Sequence, residues 1–246
     1  MADLGYSTLL MPDGMQLLSP FSTLAVAAEA TNLRVGTFVL ASPMRPAQLA
    51  AWEAHSLTLL TDGRFEMGIG TGRPEVREWV ERMGLPFGSP SQRLQQVTDT
   101  IDALRALDGE THTPVMMAAA GPKALAVAAA RADIVTLASH PLAPREQFAA
   151  MADRVRELAG DRVEQPELSM NIFVVGDRVT PWVERFIGAD AETLIAHDSL
   201  TMLRGTADDM ATELLRRREQ TGVSYITVNS AAMEDFAPVI SLLDGR

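Results

Sequence analysis

The chain has no cysteine among its 246 residues, which excludes disulfides and thiolate metal sites. It holds only four histidines, at positions 55, 112, 140 and 197, and they form no ligand cluster. No apolar run reaches the roughly 18 residues of a membrane span. The amino terminus, Met1-Ala2-Asp3-Leu4-Gly5, lacks the charged and apolar regions of a secretory signal. Positive charge is in deficit: the net charge is -11 and the pI is near 4.8. Such a field repels nucleic acid and anionic membrane surfaces. It does not exclude a small anionic ligand, because clustered backbone N–H groups hold phosphate against it. Neither a serine nucleophile elbow nor a P-loop is present. A cytoplasmic protein acting on a small molecule, with no nucleic-acid or membrane partner, is the expectation.

What the chain does have is apolar mass, 47% of its residues, arranged in alternating periods. Short β-branched runs alternate with longer segments of helical spacing, the signature of βα units and a parallel sheet. Strands are predicted over 6–11, 33–40, 65–69, 115–118, 134–138, 168–175 and 223–228. Helices are predicted over 20–31, 46–60, 75–83, 92–107, 122–131, 144–158 and 234–243. A further long helix is capped by Thr206 and runs to about residue 220. Ser19 should cap the first helix, with Pro20 at its first position. Residues 176–205 read as irregular, with one short helix near 191–197. No linker or composition break divides the chain, so residues 1–246 read as one α/β domain of the TIM-type (β/α)8 class. Seven strands leave that barrel incomplete, as if its first βα unit were missing or truncated. The unpaired edge of the 6–11 strand would then need cover.

In such barrels the working residues sit at the carboxyl ends of the strands. That rule selects Asp13, Phe38, Val39, Gly70, Thr71, Gly72, Arg73, Ala119 to Lys123, Ser139, His140, Asn171, Asn229 and Ser230. Gly68-Ile69-Gly70-Thr71-Gly72 lets a flat ligand or a phosphate approach the backbone, since glycine removes the Cβ. Its spacing is not the dinucleotide fingerprint, and a tight strand-to-helix turn explains it equally well. Ala119-Ala120-Gly121-Pro122 precedes a helix whose N-terminus carries partial positive charge, which suits an anion; a well-formed helix start is the plainer account. Asp13 reads either as a ligand contact or as an ordinary turn aspartate. His140 is the histidine best placed for proton transfer, a role that suits histidine as a residue type because free imidazole titrates near neutrality.

Read in order, these segments resemble the luciferase-like monooxygenase superfamily, in particular its short deazaflavin-dependent members. The resemblance is carried by Leu33-Arg34-Val35-Gly36-Thr37-Phe38-Val39-Leu40, by Pro46-Ala47-Gln48-Leu49-Ala50, and by residues 59–72 with Asp62-Gly63-Arg64-Phe65 and Gly70-Thr71-Gly72. Met83-Gly84-Leu85-Pro86-Phe87, Ala119-Ala120-Gly121-Pro122-Lys123 and Gly222-Val223-Ser224-Tyr225-Ile226 complete it. It implies a barrel, often dimeric, that binds coenzyme F420 or FMN at its carboxyl-terminal face. Asp13 would lie near the ring, and Phe38-Val39 at a non-proline cis peptide against it. Gly70, Thr71 and Gly72 would line the cofactor channel, while Ala120, Gly121 and Pro122 would hold the phosphate of its tail. Sugar-phosphate dehydrogenases of that group carry a histidine where this chain has Gly14 and a glutamate where it has Arg73, which argues against their reaction. The implied activity is F420-dependent hydride transfer to or from a small organic substrate. The alternatives are an FMN-dependent monooxygenase and a non-catalytic, flavin-binding barrel remnant.

Overall fold

The central strands of this chain are buried on both faces, as parallel strands covered by helices must be. The computed structural model, which describes residues 1–245, has ten strands and ten α-helices in chain order. The strands are β1 (Thr8–Met11), β2 (Arg34–Thr37), β3 (Leu40–Ala41), β4 (Phe65–Gly70), β5 (Val115–Ala119), β6 (Ile134–Leu137), β7 (Glu167–Ile172), β8 (Val174–Val175), β9 (Met202–Leu203) and β10 (Val223–Val228). The helices are α1 (Pro20–Ala30), α2 (Ala47–Leu60), α3 (Arg77–Arg82), α4 (Pro90–Asp108), α5 (Pro122–Arg131), α6 (Arg145–Ala159), α7 (Pro181–Ile187), α8 (Ala191–Ala196), α9 (Ala207–Thr221) and α10 (Met233–Leu243).

Seven strands run in parallel in the order β1-β2-β4-β5-β6-β7-β10, and β3 adds a short second rung beside β4. Among the described residues no ladder joins β1 to β10, so the curled sheet is open there. A side chain spans the lumen instead: the Tyr225 hydroxyl on β10 donates to Glu66 Oε1 on β4 at 2.7 Å. Near the open edge the Tyr6 hydroxyl donates to the Met233 carbonyl at the start of α10, 2.8 Å away.

The core lies between the outer face of the sheet and the helices. Alternation sets it: Phe65, Met67 and Ile69 on β4, Val115 and Met117 on β5, and Leu168 and Met170 on β7 are all buried there. Each such side chain contributes about 1.5–3 kcal/mol on leaving water. The intervening positions, Glu66, Gly68, Gly70, Ala118, Thr136, Ser169 and Asn171, therefore face the lumen.

Three details depart from the pattern in the sequence. The 33–40 run is two strands, β2 and β3, with the cis Phe38–Val39 peptide between them. The 168–175 run likewise divides into β7 and β8. Residues 176–205 are more regular than expected: besides α8, which matches the short helix predicted near 191–197, they carry α7 and β9, and β9 pairs with β8 in a small parallel sheet. Thr180 and Asp190 cap those helices through the amides of Val183 and Thr193. Ser19 stands at the N-cap of α1 with Pro20 after it, but its side chain makes no capping bond. Thr206 caps α9 as expected and forms a full capping box with Asp209.

Segment 176–205 is tied down by charge. Buried Arg217 on α9 donates to the carbonyls of Leu200 and Met202, at 2.7 and 3.1 Å. Glu213 accepts from Arg217 at 2.7 Å and from Arg145 at 2.6 Å, and Arg145 also grips Asp198. Burial alone would raise the Glu213 pKa, but hydrogen bonds from Arg145, Arg217 and Arg216 outweigh it and hold the carboxyl at about 2.

Candidate functional site

The carboxyl ends of the strands form one mouth. Strands β4 and β5 are parallel neighbours, with Ile69 opposite Met117. Thr71-Gly72 and Ala120-Gly121 therefore leave the sheet side by side at the same end.

Asp13 follows β1 by two residues, and its carboxylate is almost wholly buried. Arg45 binds it with two hydrogen bonds, Nη1 to Oδ2 at 2.7 Å and Nη2 to Oδ1 at 3.0 Å. The Ala41 amide adds a third, to Oδ2 at 3.1 Å. Paired charge-assisted bonds of this kind fix geometry. Asp13 thus locks the tip of β1 to the start of α2 and the end of β3. Arg45 lies 32 residues away, and no local signal in the sequence points to it.

The cis Phe38–Val39 peptide lies where the resemblance expects it, between β2 and β3. Val39 packs over the glycines of β4. A Cβ on Gly68 would stand 1.9 Å from the Thr37 carbonyl oxygen, and one on Gly70 would stand 3.2 Å from Val39 Cγ2. Gly72 has a φ of +74°, and a Cβ there would press on Pro43 and Val76 at 3.2 Å. Glycine is required by conformation and by space alike. The Thr71 carbonyl accepts from Arg93 Nε at 2.9 Å, and the Arg93 guanidinium lies 4.2 Å from the centroid of the buried Phe87 ring.

Ala120, Gly121 and Pro122 are exposed at the start of the ten-residue α5. No side chain caps that helix, and a Cβ on Gly121 would meet nothing within 4 Å. The first amides after Pro122 belong to Lys123 and Ala124, and Lys123 is the only lysine in the chain. Uncapped amides, open space and one ammonium group fit an anionic tail. His140 is exposed three residues beyond β6, and its Nδ1 faces the Leu142 amide at 3.2 Å. That contact places the ring proton of a neutral imidazole on Nε2. Asn171 faces the lumen at the upper end of β7, and Asn229 Oδ1 accepts from the Ala231 amide at 2.9 Å.

Below the mouth, Glu66 is fully buried. Burial raises its pKa, and the Tyr225 hydrogen bond and the charge of Arg34 oppose that rise. The Tyr225 hydroxyl is itself raised, by burial first and by Glu66 second. Thr136 and Ser169, register partners on β6 and β7, are buried with hydroxyls that have no partner. A cleft of about 630 Å³ opens beside the tips of β7 and β10, lined by Phe173, Gly176, Arg178, Val183, Met210 and Asp235.

The sequence patterns also missed a contact across the mouth. The Arg73 guanidinium, just past Gly72, lies 4.7 Å from the centroid of the Phe186 ring on α7.

The model of the luciferase-like monooxygenase family matches residues 1–181. The chain belongs to that family. Among relatives by sequence, a phthiodiolone/phenolphthiodiolone dimycocerosates ketoreductase of Mycobacterium sp. (strain JLS) is 28% identical over 262 residues, covering 90% of this chain and 68% of that protein. Uncharacterized proteins of Mycobacterium tuberculosis and Mycobacterium bovis are 35% identical over 97 residues, 39% of this chain. The chain spans only 33% of the length of those relatives. Among solved structures, an F420-dependent secondary alcohol dehydrogenase in complex with an F420-acetone adduct has a TM-score of 0.73 at 16% identity, covering 98% of this chain and 92% of that one. A type II Baeyer-Villiger monooxygenase from the CAM plasmid of Pseudomonas putida, in complex with FMN, has a TM-score of 0.67 at 13% identity, covering 97% and 86%. Those two likenesses are of fold.

Proposed function

We propose that this chain is an oxidoreductase that binds coenzyme F420 at the barrel mouth and moves a hydride between its C5 and a small organic substrate. The observation that carries the reading is the side-by-side exit of Gly70-Thr71-Gly72 and Ala120-Gly121-Pro122 from paired strands. One segment offers bare backbone to a flat ring, and the other offers uncapped amides and Lys123 to an anionic tail. When bound, the deazaflavin supplies hydride chemistry, and the protein supplies orientation and water exclusion.

In this reading Phe38 and Val39 wall the ring, and Gly70, Thr71 and Gly72 let it lie close to the chain. Asp13 holds that wall through Arg45 rather than touching the reacting atoms. Ala120, Gly121 and Pro122 shape the seat of the tail. His140 is assigned the proton that must accompany the hydride, given up from Nε2 by the imidazolium and regained from water. The ketoreductase relative suits a carbonyl substrate reduced to an alcohol.

The FMN-bound fold likeness favours a second reading, in which the same mouth holds FMN and the protein is a monooxygenase. Calorimetric titration of the full chain with F420 and with FMN decides between them. Micromolar binding of F420 alone supports the first reading, and of FMN alone the second. Binding of neither defeats both and leaves the non-catalytic one.

The homodimer implied by the resemblance would seat on the outer faces of α1 and α2. Val26, Leu49, Trp52 and Leu60 stand exposed there.

A further inference from the structure

Strand β4 is third in the sheet and β7 sixth, so their tips lie on opposite sides of the mouth. Arg73 follows the first tip and Phe173 the second. Phe186 joins them: the Arg73 guanidinium is 4.7 Å from its ring, and the Phe173 ring centroid is 5.4 Å away. Trp182, one turn earlier on α7, stacks on Phe186 at 5.3 Å with an interplanar angle of 11°. A cation and three rings thus bridge the entrance.

This bridge is accessible. The Arg73 side chain is 57% exposed, and Trp182 and Phe186 are 53% and 41% exposed. The other arginines around Gly72 are engaged. Arg45 is bound to Asp13, and Arg93 to the carbonyls of Thr71 and Gly88. Arg73 has one ionic contact, with exposed Glu75 at 3.3 Å, and such surface pairs are weak. A guanidinium held over a ring with its carbon 4.7 Å from the centroid, and with one weak ionic contact, retains N–H groups for a planar acceptor. A carboxylate matches that fork with two hydrogen bonds, and an aromatic or conjugated body attached to it would lie along the Phe186–Trp182 stack.

We propose that Arg73, Phe186 and Trp182 form a substrate-recognition subsite for small planar carboxylates, with Arg73 as the residue that sets specificity for the acid. The inference rests on the reading of this mouth as the reaction site and adds a substrate class to it. It also gives a role to the arginine that replaces the glutamate found after Gly-Thr-Gly in sugar-phosphate dehydrogenases.

The test uses the full chain with Trp52 and Trp79 changed to Phe, so that Trp182 is the only indole fluorophore. Benzoate, benzamide and cyclohexanecarboxylate are titrated against its emission, with and without F420 and FMN. Benzoate should bind about tenfold more tightly than benzamide, a loss of one bidentate charged contact. It should also outbind cyclohexanecarboxylate. Arg73→Met should abolish the first preference and Phe186→Leu the second, with thermal unfolding unchanged; Arg73→Lys should not restore the first. Equal binding of benzoate and benzamide, no binding of either, or a preference that survives Arg73→Met overturns the subsite.

The carboxylate source is tested separately. If Arg73→Met weakens F420 binding about tenfold and leaves benzoate binding intact, the arginine serves the cofactor tail and the substrate assignment is overturned. Selective benzoate binding without any cofactor binding supports the subsite while defeating the cofactor reading. Cofactor binding without benzoate selectivity defeats the subsite alone.

Discussion

A Cβ on Gly70 would stand 3.2 Å from Cγ2 of Val39, so the strand that ends at the mouth and the side chain above it are in near contact. A graded series follows from that spacing. Gly68→Ala drives a methyl against the Thr37 carbonyl at 1.9 Å, where only backbone can give way. It should cost at least about 3 kcal/mol or yield insoluble protein. Gly70→Ala needs a shift of only a few tenths of an ångström by Val39. It should cost about 1 kcal/mol in urea unfolding and weaken cofactor binding more than it weakens the fold. Gly121→Ala has open space and should leave stability within about 0.5 kcal/mol. Equal destabilisation by all three would show that the mouth is not packed as described.

Lys123 offers a chemical test, because no other side chain in the protein carries a primary amine. Limited acetylation followed by peptide mapping should modify Lys123 readily in the free protein, where it is exposed. Bound cofactor should slow that modification about tenfold, while the amino-terminal amine reacts unchanged as an internal control. Unaltered labelling at saturating F420 or FMN would remove Lys123 from the tail site.

The Asp13–Arg45 pair, the cis Phe38–Val39 peptide and the Arg73–Phe186 contact mark where the sequence was and was not legible. Parallel strands, their order and most helix bounds follow from periodicity, because burial acts locally on each element. The glycines at the tip of β4 and the start of α5 were legible too, since strand ends in a barrel converge. Arg45 was not, because a salt bridge spanning 32 residues leaves no local pattern. Helix α8 was read from the sequence near 191–197, but α7, at seven residues, is too short for an apolar period to emerge, although Thr180-Pro181 carried its capping signal. The break between β2 and β3 was invisible to alternation and came only from the resemblance.

Acid should loosen segment 176–205 in a defined window. The Glu213 carboxyl is held at about 2 in the fold, below its ordinary value of 4.5. A carboxylate depressed in the folded state stabilises fully above its unfolded pKa, and that stability is lost as pH falls through the folded one. Stability should therefore decline between about pH 4.5 and pH 2, and Glu213→Gln should flatten that part of the profile. Fluorescence of Trp182 on α7 reports the event. A variant with the slope of the parent protein would place the acid-sensitive group elsewhere.

Trp52 tests the proposed dimer. It is 61% exposed on α2, within reach of no described core cluster. Trp52→Glu should shift light-scattering mass from about two chains to one if that face is the interface. Secondary structure should be unchanged. A mass of two chains in the variant would move the interface to another surface.

The strut from Tyr225 to Glu66 sets how the ring of strands carries load. Neighbouring strands in the sheet are joined by ladders of backbone bonds, whereas this bond between one phenol and one carboxyl ties β10 to β4 across the lumen. The carboxyl is buried and the phenol half-buried, so bulk solvent reaches the strut poorly. The lumen beneath the mouth is thereby spanned by a polar crossbar from β10 to β4. Anything entering from above comes to rest on a floor made of side chains, so the depth of the basin is decided by two residues that no ligand needs to touch.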